Sequence, residues 1–280
     1  MRSLPGHLVS TDWLQSNLPK DDLRVVDCRW RMETPGEGRR EYEGGHIPGA
    51  VHLDVEEHLS RKEGPGRHPL PTRQEFDAAM SGIGVDRETQ VIVYDDGKGA
   101  PAARLWWLLR YYGHEKVSVL DGGWSLWVKE ERPTATEIPE YPKTKFAARP
   151  KRKWVVDKEA VDSLREDPEV LLIDARAPER YRGEVEPIYP RAGHIPGSEN
   201  LPFFTTIDPE TGLFLTPEKL HAAFEKMGAG QAKTIICYCG SGITACTNLL
   251  ALSLTGRDAK LYEGSFSDWS RDANLPVATR

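Results

Sequence analysis

The sequence predicts an α/β protein built from two tandem domains, each a mainly parallel central sheet flanked by helices. Three observations carry that prediction. Short β-branched runs alternate with helix-like stretches along the whole chain, the pattern of strand–helix–strand units. The chain also repeats itself once, from one end to the other. Finally, Cys239 stands where a buried run, Thr234-Ile235-Ile236-Cys237-Tyr238, turns into the apolar stretch Cys246–Leu254. In parallel α/β sheets such strand ends are where ligands bind.

The strands and helices can be taken in order. Val25-Val26-Asp27 and Val91-Ile92-Val93-Tyr94 read as buried strands of the first half, and Leu171-Leu172-Ile173 and residues 234–238 as those of the second. Phe76–Met80 and Ala102–Tyr112 read as helices. So does Pro217–Met227, with Thr216 as N-cap and Pro217 at the first helical position.

The repeat decides the domain count. Val9–Leu14 corresponds to Val156–Val161, and Val25-Val26-Asp27-Cys28-Arg29 to Leu172-Ile173-Asp174-Ala175-Arg176. Gly45-His46-Ile47-Pro48-Gly49 recurs as Gly193-His194-Ile195-Pro196-Gly197. Val91–Tyr94 matches Ile235–Tyr238, and Leu120–Trp124 matches Tyr262–Phe266. A spacing of about 145 residues is far longer than any solenoid period and indicates duplicated domains. Between the copies, Glu131–Lys153 carries Pro133, Pro139, Pro142 and Pro150 among charged residues, which predicts an extended linker. The expected layout is 1–140 for the first domain, 141–153 for a proline-rich linker and 154–280 for the second.

Composition bounds the function. The chain has 280 residues, 39% of them hydrophobic and 29% charged, enough apolar content for globular cores. A net charge of −6 gives no general footprint for nucleic acid or anionic membrane. Four cysteines do not make a disulfide framework in a chain this long. The start, Met1–His7, lacks the apolar core of a signal peptide, and no apolar run approaches a membrane span. The expectation is a soluble, cytoplasmic protein that engages neither membrane nor nucleic acid.

Cys239 leads the candidate functional residues. At a glycine-containing turn before a helix it meets backbone N–H groups and the positive end of a helix dipole. Both stabilise a thiolate, the reactive form of cysteine. Gly240 and Gly242 let the backbone curl around the sulfur without Cβ clashes. Ser241 and Thr244 add hydroxyls that hydrogen-bond sulfur, relay a proton or cap the helix. Cys237 and Cys246 are expected to be packed as small apolar residues. No histidine nearby completes a zinc spacing, so neither metal nor cofactor is expected.

These residues resemble the rhodanese superfamily, specifically its tandem two-domain sulfurtransferases. The resemblance spans nearly the whole chain. It rests on the strand-Asp-x-Arg segments, both His-Ile-Pro-Gly blocks and the loop Cys239-Gly240-Ser241-Gly242-Ile243-Thr244-Ala245. It implies two rhodanese-like domains and a sulfane sulfur carried as a persulfide on Cys239. The sulfur would come from a small-molecule donor and pass to cyanide, a small thiol or thioredoxin. Asp95 takes the cysteine's position in the first copy; a carboxylate carries no sulfane sulfur, so one active site per chain is expected.

The neutral Gly240-Ser241-Gly242 after the cysteine resembles 3-mercaptopyruvate sulfurtransferases, whereas thiosulfate enzymes place basic residues there. The resemblance puts the donor against Gly240, Gly242, Ile243 and Thr244, with its carboxylate on two arginines. Arg180 matches the first; the second position holds Tyr189 here, with Arg191 nearby as a substitute. Glu56 and His68 match positions that assist proton transfer together with Ser241. His46 and His194 are expected to be structural, and Trp106, Trp107, Trp124 and Trp127 to serve packing. Three rivals remain in view. A cysteine phosphatase needs an arginine where this chain has Ala245. A partner-binding, non-catalytic rhodanese module commonly lacks the cysteine that the second half keeps. A redox relay through Cys237 and Cys239 requires a strained ring.

Overall fold

A computed structural model describes residues 6–18 and 20–280 of the chain. The alternation of apolar runs and amphipathic stretches resolves into two strand–helix series of identical order. The first comprises β1 (Leu8–Val9), α1 (Thr11–Asn17), β2 (Leu23–Asp27), α2 (Glu37–Gly44), β3 (Ala50–His52), α3 (Arg73–Gly82), β4 (Gln90–Tyr94), α4 (Ala100–Tyr111), β5 (Val117–Leu120) and α5 (Gly123–Lys129). The second comprises β6 (Val155–Val156), α6 (Lys158–Leu164), β7 (Val170–Asp174), α7 (Pro178–Tyr181), β8 (Ser198–Asn200), α8 (Pro217–Lys226), β9 (Thr234–Tyr238), α9 (Ala245–Leu254), β10 (Lys260–Tyr262) and α10 (Ser265–Trp269).

The two sheets are ordered β1-β5-β4-β2-β3 and β6-β10-β9-β7-β8, the same permutation, with parallel pairing throughout. The inner strands β2, β4, β7 and β9 are buried along almost their full length, as strands covered by helices on both faces must be. The helix start read from sequence at Thr216 corresponds to a real cap, and the structure adds a second at Thr72. Thr216 Oγ1 accepts the Lys219 N–H at the start of α8, with Pro217 in the first turn. Thr72 and Glu75 form a reciprocal capping box on α3.

The repeated motifs prove to be structural joints. In the first unit Arg29 pairs with Asp27 at 2.6 Å and donates to the Gly45 carbonyl at 2.7 Å. In the second, Arg176 pairs with Asp174 at 2.6 Å and donates to Gly193 O at 2.7 Å. Each Asp-x-Arg thus ties a strand end to the Gly-His-Ile-Pro-Gly turn. The turn histidines also serve the backbone: His46 Nδ1 lies 2.8 Å from Tyr42 O, and His194 Nδ1 2.8 Å from Tyr181 O. Trp127 and Trp269 repeat a third joint, each giving its indole N–H to a proline carbonyl, Pro133 and Pro276. Trp106 and Trp107 are buried in α4.

Two compact units divide the chain between Lys151 and Arg152, with exchanges that sequence reading did not foresee. Lys62–Leu70 belongs to the second unit and Asp208–Phe214 to the first. The proline-rich stretch is extended, but it does not hang free. Thr144 N–H donates to Ser81 O, Ala148 N–H to Asp77 Oδ1 and Arg149 N–H to Tyr112 O, while Phe146 and Ala148 are buried. Alternate side chains of this strap fill the first unit's surface, and its backbone polar groups find partners there. Among the described residues no helix is long and apolar enough to cross a membrane.

Candidate active site

Cys239 follows the carboxyl end of β9, the middle strand of the second sheet. It is almost wholly buried, at 1% exposure. The chain turns through Gly240–Thr244 into α9, with Gly242 at φ 83° in the left-handed region where only glycine sits without strain. That conformation aims the Gly242 N–H at the Cys239 sulfur, 3.1 Å away. The N-terminus of α9 lies immediately beyond and adds its positive dipole end. Thr244 is already helical and makes no side-chain cap, and Ile243 is buried. Cys246, in the first turn of α9, donates its S–H to Gly242 O at 3.3 Å and closes the loop from behind. Burial, then the neighbouring Cys246 and Cys239, push the Cys237 thiol well up. Cys237 therefore stays protonated.

The start of α10 fixes the loop from the other side. Phe266 N–H donates to Cys239 O at 2.9 Å and Ser267 N–H to Gly240 O at 2.8 Å. Ser265 Oγ accepts the Cys239 N–H at 3.2 Å and donates to Tyr262 O at 3.0 Å. To do so Ser265 adopts φ 52°, a left-handed conformation that costs a non-glycine residue about 1–3 kcal/mol. The first copy places Gly123 here at φ 53°. A Cβ on Gly123 would meet the Asp95 carbonyl at 2.4 Å.

His68 arrives on the exchanged segment Lys62–Leu70. Arg67 N–H donates to Ser267 Oγ at 2.9 Å and Leu70 N–H to Glu263 Oε2 at 3.1 Å. Gly66, at φ 75°, passes so close that a Cβ would lie 2.4 Å from Gly264 O. These anchors hold His68 Nδ1 2.8 Å from Ser241 Oγ, both residues buried. Histidine, serine hydroxyl and cysteine loop are thereby contiguous. Glu56, the third residue expected to assist proton transfer, lies in the first unit, where its N–H donates to Asp54 Oδ1 at 2.7 Å.

The expected carboxylate-binding arginines have different surroundings. Arg180 Nη2 pairs with Glu186 Oε1 at 2.7 Å, and its Nε lies 3.3 Å from Oε2. Glu186 also reaches Arg176 Nη1 at 3.4 Å. Burial alone would lower the Arg176 guanidinium, but Asp174 and Glu186 hold it above its ordinary range. The Arg191 guanidinium is engaged by backbone carbonyls. Its Nε, Nη1 and Nη2 donate to the carbonyls of Ser270, Leu275, Trp269 and Asp272 at 2.6–3.0 Å. It caps the end of α10 and the turn beyond, adding to the backbone N–H groups that Trp269 O and Asp272 O already accept.

Tyr189 lies between Arg180 and the cysteine loop. Its ring meets Phe266 edge-on, with centroids 6.2 Å apart, and carries the Arg180 guanidinium 5.3 Å from its centroid. Its hydroxyl leans over Gly240, where a Cβ would lie 2.8 Å away. Burial, then the Cys239 sulfur, raise the Tyr189 phenol above its ordinary range, with Arg180 and Arg67 opposing.

The first copy shows what the loop does without its cysteine. Asp95 Oδ1 accepts the N–H groups of Gly97 and Gly99 at 2.9 and 3.0 Å, and Oδ2 that of Ala102 at 3.1 Å. The anion-holding turn is filled by its own carboxylate. The duplicated parallel sheets, the Asp-x-Arg joints and the cysteine cradle agree with the family comparison. A rhodanese-like domain model matches residues 10–130 and again 157–272.

The chain belongs to the rhodanese family.

Among its relatives, a protein of Pseudomonas aeruginosa named a probable 3-mercaptopyruvate sulfurtransferase is 41% identical over 280 residues, 98% of each chain. A thiosulfate sulfurtransferase of Rattus norvegicus is 35% identical over 283 residues, covering 98% of this chain and 94% of the other. The crystal structure of SseA from Escherichia coli, described as a 3-mercaptopyruvate sulfotransferase with the rhodanese fold, superposes with a TM-score of 0.83. It is 36% identical and covers 94% of this chain and 100% of its own.

In this rhodanese, sequence reasoning missed the contacts of Ser265, Ser267, Glu263 and Gly66 and the placement of Tyr189 against Gly240. One signal was available. The aligned blocks Leu120–Trp124 and Tyr262–Phe266 set Ser265 opposite Gly123, and a serine in place of glycine beside the cysteine loop marks a position under new demand. The others act through contacts between segments remote in sequence, and no local pattern announces them.

Proposed function

We propose that the chain is a sulfurtransferase that carries a sulfane sulfur on Cys239, taking it from 3-mercaptopyruvate and passing it to cyanide, a small thiol or thioredoxin. The observation that carries this reading is the buried Cys239 sulfur receiving the Gly242 N–H, with the His68–Ser241 pair beside it. The thiolate attacks the donor's sulfur and a Cys239 S–S bond forms. The donor's C–S bond breaks, and its electron pair leaves on carbon as the enolate of pyruvate, which takes a proton. Ser241, hydrogen-bonded to His68, supplies the relay for that proton. The loop N–H groups hold the negative charge that the persulfide then carries. Acceptor attack on the outer sulfur breaks the S–S bond and restores the thiolate.

Arg180 is the proposed contact for the donor's carboxylate. Thiosulfate is the second reading, supported by Tyr189 in place of a second arginine and by Glu186 neutralising Arg180. With that donor the S–S bond breaks and sulfite leaves.

Intact-mass measurement after incubation with each donor tests both readings. A gain of about 32 Da, one sulfur atom, is expected on the wild type and not on Cys239→Ser. No gain with either donor rejects the proposal. Arg180→Ala should raise the mercaptopyruvate KM about 10- to 150-fold if it holds the carboxylate, and unchanged kinetics would remove it from that role.

A further inference from the structure

Asp174, Arg176, Glu186 and Arg180 form one chain of ion pairs, two carboxylates against two guanidinium groups. The network is neutral as a whole, so it brings little net positive charge to the sulfur. What faces the first residue of the cysteine loop is an uncharged group, the Tyr189 phenol. Four contacts fix it there. Glu186 Oε1 accepts the backbone N–H groups of Ile188 and Tyr189 at 3.1 and 3.2 Å. The ring packs edge-on against Phe266, whose own N–H holds the Cys239 carbonyl. Arg180 covers the ring. The hydroxyl is wedged onto Gly240, whose missing side chain makes the room.

We propose that Tyr189 is a further catalytic residue of the sulfur cradle, its hydroxyl donating to the outer sulfur carried by Cys239. Gly242 N–H already serves Sγ from inside the loop. A persulfide extends one bond beyond Sγ, and its terminal sulfur carries the charge and needs a second donor. A phenol suits that task because it stays protonated beside an anion while still offering a strong O–H donor. Burial and the nearby sulfur both keep Tyr189 in its protonated form. The contact is with the atom that is transferred, not with the body of the donor. Tyr189 therefore acts alike on mercaptopyruvate and thiosulfate, which separates it from any group that reads a carboxylate.

This inference rests on the persulfide reading above, and the test keeps the two apart. Tyr189→Phe retains the ring, its packing on Phe266 and the room over Gly240, and loses only the hydroxyl. Rapid-quench intact mass measures how fast Cys239 gains sulfur from each donor, and how long the persulfide survives without acceptor. Tyr189→Phe should slow loading at saturating donor by about 10- to 150-fold, equally for both donors, with donor KM within about twofold, as for one lost charge-assisted hydrogen bond. Its persulfide should also decay faster. A ring acting only in packing moves neither readout, so wild-type loading and lifetime overturn the proposal. A rise in mercaptopyruvate KM alone also overturns it, since the hydroxyl would then be reading the carboxylate. If the wild type gains no sulfur at all, the sulfurtransferase reading fails instead. Should Tyr189→Phe fold poorly, 3-fluorotyrosine at position 189 keeps the hydroxyl and strengthens its donation. It should lengthen the persulfide's lifetime, and an unchanged or shortened lifetime overturns the proposal.

Discussion

Arg191→Ala separates a substrate-binding arginine from a structural one. The guanidinium makes four hydrogen bonds to carbonyls of residues 269–275, at 2.6–3.0 Å. A hydrogen bond from a charged donor contributes about 1.5–3 kcal/mol when isolated, but four sharing one group are far from additive. Arg191 is half-buried, so water re-satisfies some of the carbonyls it leaves. The expected loss is about 2–4 kcal/mol, or a fall in Tm of roughly 4–16 °C at 2–4 °C per kcal/mol for a chain of this class. Differential scanning fluorimetry gives the Tm, and steady-state kinetics on the folded fraction gives KM for mercaptopyruvate. The expected result is a large thermal shift with KM within about twofold. An unchanged Tm with KM raised tenfold or more would refute the reasoning and return Arg191 to the donor site.

Three further outcomes follow from the same geometry. Gly240→Ala forces a Cβ to within 2.8 Å of the Tyr189 hydroxyl and should lower stability by about 1–3 kcal/mol. In a Tyr189→Phe background that penalty should shrink, and a double-mutant cycle showing additivity would contradict the contact. Ser265→Ala loses the acceptor of the Cys239 N–H while keeping the left-handed strain. Ser265→Gly loses the same acceptor but relieves that strain. Chemical denaturation should rank the glycine variant the more stable, by about 1 kcal/mol, and the reverse order would contradict the strain argument.

The last outcome concerns pH. Burial holds His7, His58 and His114 below the ordinary imidazole range. Each takes its proton more readily unfolded than folded, so their contribution is complete above about pH 6.5 and is lost as pH falls below it. Each group adds at most about 1.4 kcal/mol per pH unit. His114→Leu should flatten the decline of Tm between about pH 7.5 and 5.5, and an unaltered slope would exclude His114 from it.

The α/β class, the duplication, the inner strands and the start of α8 were legible in the sequence. These features are written locally. Burial on both faces demands uninterrupted β-branched runs, and a cap demands Thr216 at a fixed offset. Repetition then supplies what one copy leaves ambiguous, because Asp95 and Cys239 can be compared on the same scaffold. The tertiary structure decided matters between residues far apart in the chain. It moved Lys62–Leu70 into the second unit and so set His68 against Ser241. It gave Arg191 to the end of α10 and Tyr189 to the cysteine loop. Composition cannot distinguish an arginine that binds a substrate from one that binds carbonyls, since both uses draw on the same charge and the same donors. Only the positions of the acceptors tell them apart, and the fold sets those positions.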